Sequence, residues 1–201
     1  MTEITAGFSD PVLDAQKAFR HILDALSNPG RIETLDIALS APAGLVHAAA
    51  VTLLTVADFE TPLWLPASLA ETAGPWLRFH ATVRLTDDPA EAFFALLTGA
   101  AGEPALSAFH DGDDLYPDRS TTILVQCAGF EGGEAVSLTG PGIKDKAIVT
   151  PVGLPHGFWP SLRANNTRYP RGVDVILVSG NRIMGLPRSL TITLASSKEA
   201  A

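Results

Sequence analysis

Three stretches of this sequence carry residues whose types and spacing suit chemistry. The first, Thr139-Gly-Pro-Gly-Ile-Lys-Asp-Lys146, sets Gly140 and Gly142 beside Lys144 and Lys146. Glycine-rich turns hold phosphate because their backbone N–H groups converge on an anion, and neighbouring lysines add charge. Against this, Pro141 has no N–H to offer, and neither a Gly-Lys-Ser/Thr run nor a strong helix start follows. The turn reads first as a strand end and second as an anion site. Lys144 or Lys146 is also the residue type that forms a Schiff base with pyridoxal phosphate (PLP). Nothing else in the sequence supports that use.

The second stretch is Leu77-Arg-Phe-His80. Arg78 and His80 read as a packed strand histidine with a structural ion pair, or as a general base with an anion clamp. Placed next to the glycine turn, they would complete a small-molecule site. The third, His110-Asp-Gly-Asp-Asp114, offers oxygen ligands but lacks the spacing and closing glutamate of an EF-hand, so a solvated loop is expected. Cys127 is the single cysteine. It can form neither an internal disulfide nor a paired-cysteine metal site, and it reads as a buried strand thiol. His21 and His47 have no second ligand four residues on, and GxSxG, HExxH, GxGxxG and Walker A patterns are missing. No metal, no cofactor and no self-sufficient catalytic centre are expected.

The elements that must position these residues alternate between helix and strand. Asp10-Pro11 opens a helix with a stripe at Val12, Ala15, Phe19, Ile22 and Leu26, and Asn28-Pro-Gly30 stops it. A strand over 31–37 and an apolar helix over 44–57 follow, then a strand over 61–65 and a short helix over 68–73. Strands are predicted over 78–85, 121–127 and 134–139, with helices after Asp88-Pro89 (holding Phe93, Phe94, Leu96 and Leu97), over 103–109 and over 157–165. Gly180-Asn181 joins strands 173–179 and 182–186 as a hairpin, and 190–194 alternates as a last strand. This order predicts an α/β fold: a single domain over residues 1–201, with one mixed sheet flanked by helices in three layers.

The chain has 201 residues, 14 basic and 22 acidic, for a net charge of −8. Nucleic acid is therefore excluded as the default partner, since phosphate backbones need clustered cations. The run 37–57 lacks charge, yet Ser40, Pro42 and Gly44 break it, so it reads as a core helix and not a membrane span. With no basic-then-apolar leader and one cysteine, a cytoplasmic protein is expected. Charged residues make up 18% of the chain, against about 25% in typical domains. That shortage implies a surface partly turned toward protein. Trp76, Trp159 and Phe158 are candidate interface anchors because turn residues flank them, with core packing the equal alternative.

Taken in order, several segments resemble a known family. They are Asp14-Ala-Gln-Lys-Ala-Phe-Arg20, Leu26-Ser-Asn-Pro-Gly30, Thr52-Leu-Leu-Thr-Val-Ala-Asp58, Thr61-Pro-Leu-Trp-Leu65, Leu77-Arg-Phe-His80, Leu138-Thr-Gly-Pro-Gly-Ile143, Pro170-Arg-Gly-Val-Asp-Val-Ile-Leu177 and Gly185-Leu-Pro-Arg188. Over about residues 10–188 the chain resembles PhnH, a subunit family of the bacterial carbon–phosphorus lyase system for phosphonate use. The resemblance implies a fold like the large domain of PLP-dependent transferases, without PLP, and a homodimer. It also implies partners of the PhnG, PhnI and PhnJ types in alpha-D-ribose 1-methylphosphonate 5-triphosphate synthase, where a phosphonate replaces the adenine of ATP. In that family the nucleosidase-like chemistry is attributed chiefly to the PhnI type, so the chain is expected to be accessory and not catalytic alone. The alternative is an autonomous nucleotide- or phosphonate-binding protein using Gly140–Lys146 with Arg78 and His80.

Overall fold

The computed structural model describes residues 4–194. Met1–Glu3 of the leader reading and residues 195–201 of the proposed domain lie outside them. Helix α1 (Pro11–Ser27) begins as its sequence dictates: the Asp10 carboxylate accepts from the N–H of Val12 and of Leu13, and Pro11 occupies the first turn. Its buried face differs from the expected stripe. Ala18, Ile22 and Ala25 point inward, whereas Val12 and Phe19 lie outside. The cause is how closely α1 approaches the sheet. A Cβ on Gly185 would stand 2.4 Å from the Ala25 carbonyl oxygen, so only small residues fit between helix and strand.

After β1 (Ile32–Thr34) comes α2 (His47–Val56), with Ala48 through Leu53 all buried. Strand β2 (Leu63–Trp64) then leads to α3 (Ala67–Thr72) and α4 (Gly74–Ala81). Helix α4 corrects the expected strand over 78–85. Pro75 starts it and Thr82, at φ 51°, ends it, leaving only β3 (Leu85–Thr86) extended. The helix expected after Asp88 is also corrected. Asp88 caps one 3-10 turn at Pro89–Glu91, and Phe94–Leu97 forms strand β4. The helix expected over 103–109 shrinks to a 3-10 turn at Leu106–Ala108.

Strand β5 (Thr122–Gln126) and β6 (Val136–Thr139) match expectation, and β7 (Ala147–Val149) adds a strand absent from the sequence reading. Helix α5 (Phe158–Asn166), the hairpin β8 (Asp174–Ser179) and β9 (Arg182–Leu186), and β10 (Thr191–Leu194) complete the order. Among the described residues the strands form two sheets where one was expected. Seven lie in the order β1-β9-β8-β5-β4-β2-β3, and three in the order β10-β6-β7. In the large sheet β9 runs antiparallel to both its neighbours, and every other pairing is parallel. The small sheet is antiparallel throughout.

Two apolar cores result, one on each face of the large sheet. Residues of α1 to α4 pack on the first with Leu96, Leu124 and Ile176. The small sheet and α5 pack on the second with Ala95, Leu97, Ile123 and Val175. Successive residues of β4 thus serve opposite cores, which gives the helix–sheet–mixed layering of an α/β fold. Among the described residues no helix is long and apolar enough to cross a membrane.

Candidate functional site

A polar cluster gathers where β5 and β8 begin. The Arg188 guanidinium reaches Asp174 Oδ2 at 3.1 Å and donates to Ser120 Oγ at 2.7 Å, to the Gly172 carbonyl at 2.9 Å and to the Pro117 carbonyl. Asp174 Oδ1 accepts from the Arg188 N–H at 2.9 Å. Next to it Asn165, buried at the end of α5, closes a two-way bond with Val173: its Oδ1 accepts from the N–H and its Nδ2 donates to the carbonyl. Arg168 and Arg171 both reach Asp111, and Arg171 lies 3.8 Å from Asp114. This set of pairs ties the 110–120 loop to the start of β8. The sequence reading missed it, although Arg171, Asp174 and Arg188 lie in two segments that carried the family resemblance. Charges abutting the ends of buried strands were the available signal.

The acidic stretch is the largely exposed loop that was expected, with Asp111 drawn into ion pairs. Hydrogen bonds from the Tyr116 and Leu115 N–H groups hold the Asp113 carboxyl below the usual carboxylate range. Among the described residues no group of three or more His, Cys, Asp or Glu side chains could hold a metal ion. Cys127 is buried, as expected, and burial pushes its thiol pKa up, so it stays protonated at neutral pH.

The other place where this architecture concentrates ligands is the C-terminal side of its parallel strands. Strand β2 leads outward to β3 while β4 leads toward β5, so the chain reverses direction between them. Beyond β4 opens a cleft of about 540 Å³, lined by the 99–106 loop, His156, Phe158 and Ser161. Its floor is already occupied. The Glu103 carboxylate accepts from Thr98 N, Gly99 N and Thr98 Oγ1 at 2.6 to 3.0 Å. Those are the donors an anionic ligand would require. Glu103→Ala is expected to lower stability by about 2 kcal/mol, since charge-assisted bonds contribute about 1.5–3 kcal/mol. Urea unfolding measures it, and a loss near zero would mean that the carboxylate does not secure the loop.

The residues singled out in the sequence lie in different layers. His80 sits on α4, not on a strand: its Nε2 donates to the Thr5 carbonyl at 2.9 Å, as does Trp76 Nε1. The imidazole also covers Gly7, so it anchors the N-terminal segment. Arg78 is exposed in the last turn of α4. Gly140 and Gly142 follow β6 on the other face. There the Ile143 N–H donates to the Gly140 carbonyl at 3.1 Å, spending one donor inside the turn. Gly142, at φ 84°, abuts the end of α1, where an added Cβ would meet the Ser27 carbonyl oxygen at 2.1 Å. Lys144 and Lys146 are exposed beside it.

The proposed interface anchors need correcting too. Trp76, Phe158 and Trp159 are only 2%, 5% and 7% exposed and belong to the two cores. Turns beside them do not expose them, because α4 and α5 roll these rings inward. Large apolar side chains that do face outward include Val12, Phe19, Leu23, Phe59 and Phe93.

Comparison with known proteins adds to this geometry. The family model described as bacterial phosphonate metabolism protein (PhnH) matches residues 6–193. A Rhizobium meliloti (strain 1021) protein, alpha-D-ribose 1-methylphosphonate 5-triphosphate synthase subunit PhnH, is 38% identical over 186 residues, covering 92% of this chain and 93% of its own. A Stutzerimonas stutzeri protein whose name describes it as a C-P lyase subunit, HtxG, is 30% identical over 182 residues, covering 89% of this chain and 86% of its own.

Proposed function

The chain belongs to the PhnH family of bacterial phosphonate metabolism proteins, and from that premise we propose that it is an accessory subunit of a phosphonate-activating synthase. The observation that carries this reading is the near full-length match to a protein named as a subunit of alpha-D-ribose 1-methylphosphonate 5-triphosphate synthase. In this reading the chain works in the cytoplasm, forms a homodimer when alone, and assembles with PhnG-, PhnI- and PhnJ-type subunits to support replacement of the adenine of ATP by a phosphonate. The likeness to the PLP-dependent transferase large domain stays part of the proposal.

Physical chemistry supports the accessory role. Displacement at an anomeric carbon passes through an oxocarbenium-like state that needs placed carboxylates, and a triphosphate needs cationic or N–H clamps. The half-buried carboxylates described above are already engaged: Asp174 with Arg188, Asp111 with Arg168 and Arg171, and Glu103 with the 98–99 backbone. The chain on its own is expected to release no adenine from ATP in the presence of methylphosphonate, and adding the partner subunits is expected to restore release. Turnover by the isolated chain would overturn the accessory assignment. Sedimentation of the chain as a single 21.1 kDa species at micromolar concentration would overturn the homodimer.

A further inference from the structure

The cleft of about 540 Å³ beyond β4 is bordered by a strap of the smallest residues, Gly99-Ala-Ala-Gly102. All four are exposed, and the two glycines stand at φ 81° and 90°. Glycine and alanine have no polar side chain with which to tie the strap down. Glu103 does so instead: its carboxylate accepts the Thr98 N–H at 2.9 Å, the Gly99 N–H at 2.9 Å and the Thr98 hydroxyl at 2.6 Å. The Glu103 N–H adds a long bond of 3.4 Å to the Ala100 carbonyl. Ser161 and His156 line the same cleft, and their side chains have no hydrogen-bond or ion-pair partner among the described residues.

We propose that this cleft binds a tetrahedral phosphorus dianion, the group that ends both phosphate monoesters and phosphonates, and that the chain keeps the site shut with its own Glu103. Two successive backbone N–H groups and a hydroxyl that converge on one point make an anion hole. Glu103 fills it from five residues away. A group tethered so closely acts at an effective concentration of about millimolar or more. A free carboxylate offers the hole nothing that Glu103 does not, so it cannot open the strap.

The phosphorus group competes where a carboxylate does not. It carries a charge of about −1.5 to −2 and three strong acceptor oxygens. Two oxygens take over the Thr98 and Gly99 donors, and the third is left for the unpaired Ser161 hydroxyl or His156 ring. Displacement of Glu103 frees the strap to swing outward. Its glycines supply the backbone freedom, and a Cβ at Gly102 would meet no atom within 4 Å, so there is space to move into. The donors, the plug and the cleft all belong to one chain. The proposal therefore goes beyond the subunit reading and does not depend on it.

The test titrates the isolated full chain with inorganic phosphate, methylphosphonate and acetate at constant ionic strength, read by calorimetry, melting and hydrogen exchange. Wild type is expected to bind phosphate with a Kd of about millimolar, set by competition with Glu103, and to ignore acetate. Phosphate should speed amide exchange over residues 100–103 while slowing it at Thr98 and Gly99. Glu103→Ala leaves the hole empty, so phosphate should bind about tenfold or more tightly and restore most of the lost Tm. Ser161→Ala breaks no bond of the folded chain, so it should keep the wild-type Tm yet weaken phosphate binding several-fold. Methylphosphonate binding tighter than phosphate supports a phosphonate as the occupant, and the reverse order supports a phosphate ester. Equal rescue of Glu103→Ala by acetate and phosphate would overturn the proposal and leave Glu103 a structural cap. So would phosphate that produces neither heat nor a Tm shift in wild type and Glu103→Ala.

Discussion

Arg188→Ala is expected to lower the unfolding free energy by about 3 kcal/mol, because removing one member of a buried ion pair strands the other. The guanidinium satisfies Asp174, Ser120 and two backbone carbonyls at once, so its loss leaves several acceptors without donors. Both side chains keep some solvent contact, 16% and 20%, which places the effect at the low end of the range for such pairs. For a chain of this size the shift is about 6–12 °C in Tm. Arg188→Lys should recover only part of it, since an ammonium cannot span the same fork of acceptors. The double variant Arg188→Met with Asp174→Leu should lie closer to wild type than Arg188→Ala does. A melting temperature within 2 °C or so of wild type for Arg188→Ala would show that the cluster does not hold the strand ends.

The second large effect belongs to Gly185→Val. Gly185 has ordinary strand backbone, so what it provides is space. A Cβ there would meet the Ala25 carbonyl oxygen at 2.4 Å and the Leu26 Cα at 2.8 Å, and these are backbone atoms that cannot rotate away. Helix α1 would have to lift off β9, losing the burial of Ala18, Ile22 and Ala25. A cost of about 3 kcal/mol or more follows from overpacking combined with lost apolar burial. Circular dichroism melting and limited proteolysis between α1 and β1 measure it. Wild-type stability would mean that α1 does not rest on β9 as described.

These two positions also show how far the fold was legible in the sequence. Asp10-Pro11, Gly180-Asn181 and the alternation of 190–194 each encode their element locally, and each forms as expected. Residues 93–97 do not, because Phe94 and Leu96 face one core while Ala95 and Leu97 face the other. A strand buried on both sides has no alternation to display. In the 78–85 region the stop signal was invisible, since the helix ends at a left-handed threonine where a glycine is usual. The site residues fared less well. Arg188 meets Asp174, Ser120 and Pro117 only through tertiary folding, and Asn165 closes its two-way bond with Val173 in the same way. Neither fact has a local sequence signature.

Among the described residues strand β1 pairs with β9 alone, with Ile32 opposite Met184. During synthesis the first strand therefore has no neighbour until residues 182–186 have left the ribosome. The helix before it rests on the same late strand. The amino-terminal helices must wait with their apolar faces uncovered, and pairing across so long a separation is slow. Completion of the large sheet thus waits for the β8–β9 hairpin. A chain interrupted before the last hairpin would lack this closure and be a substrate for chaperones and proteases.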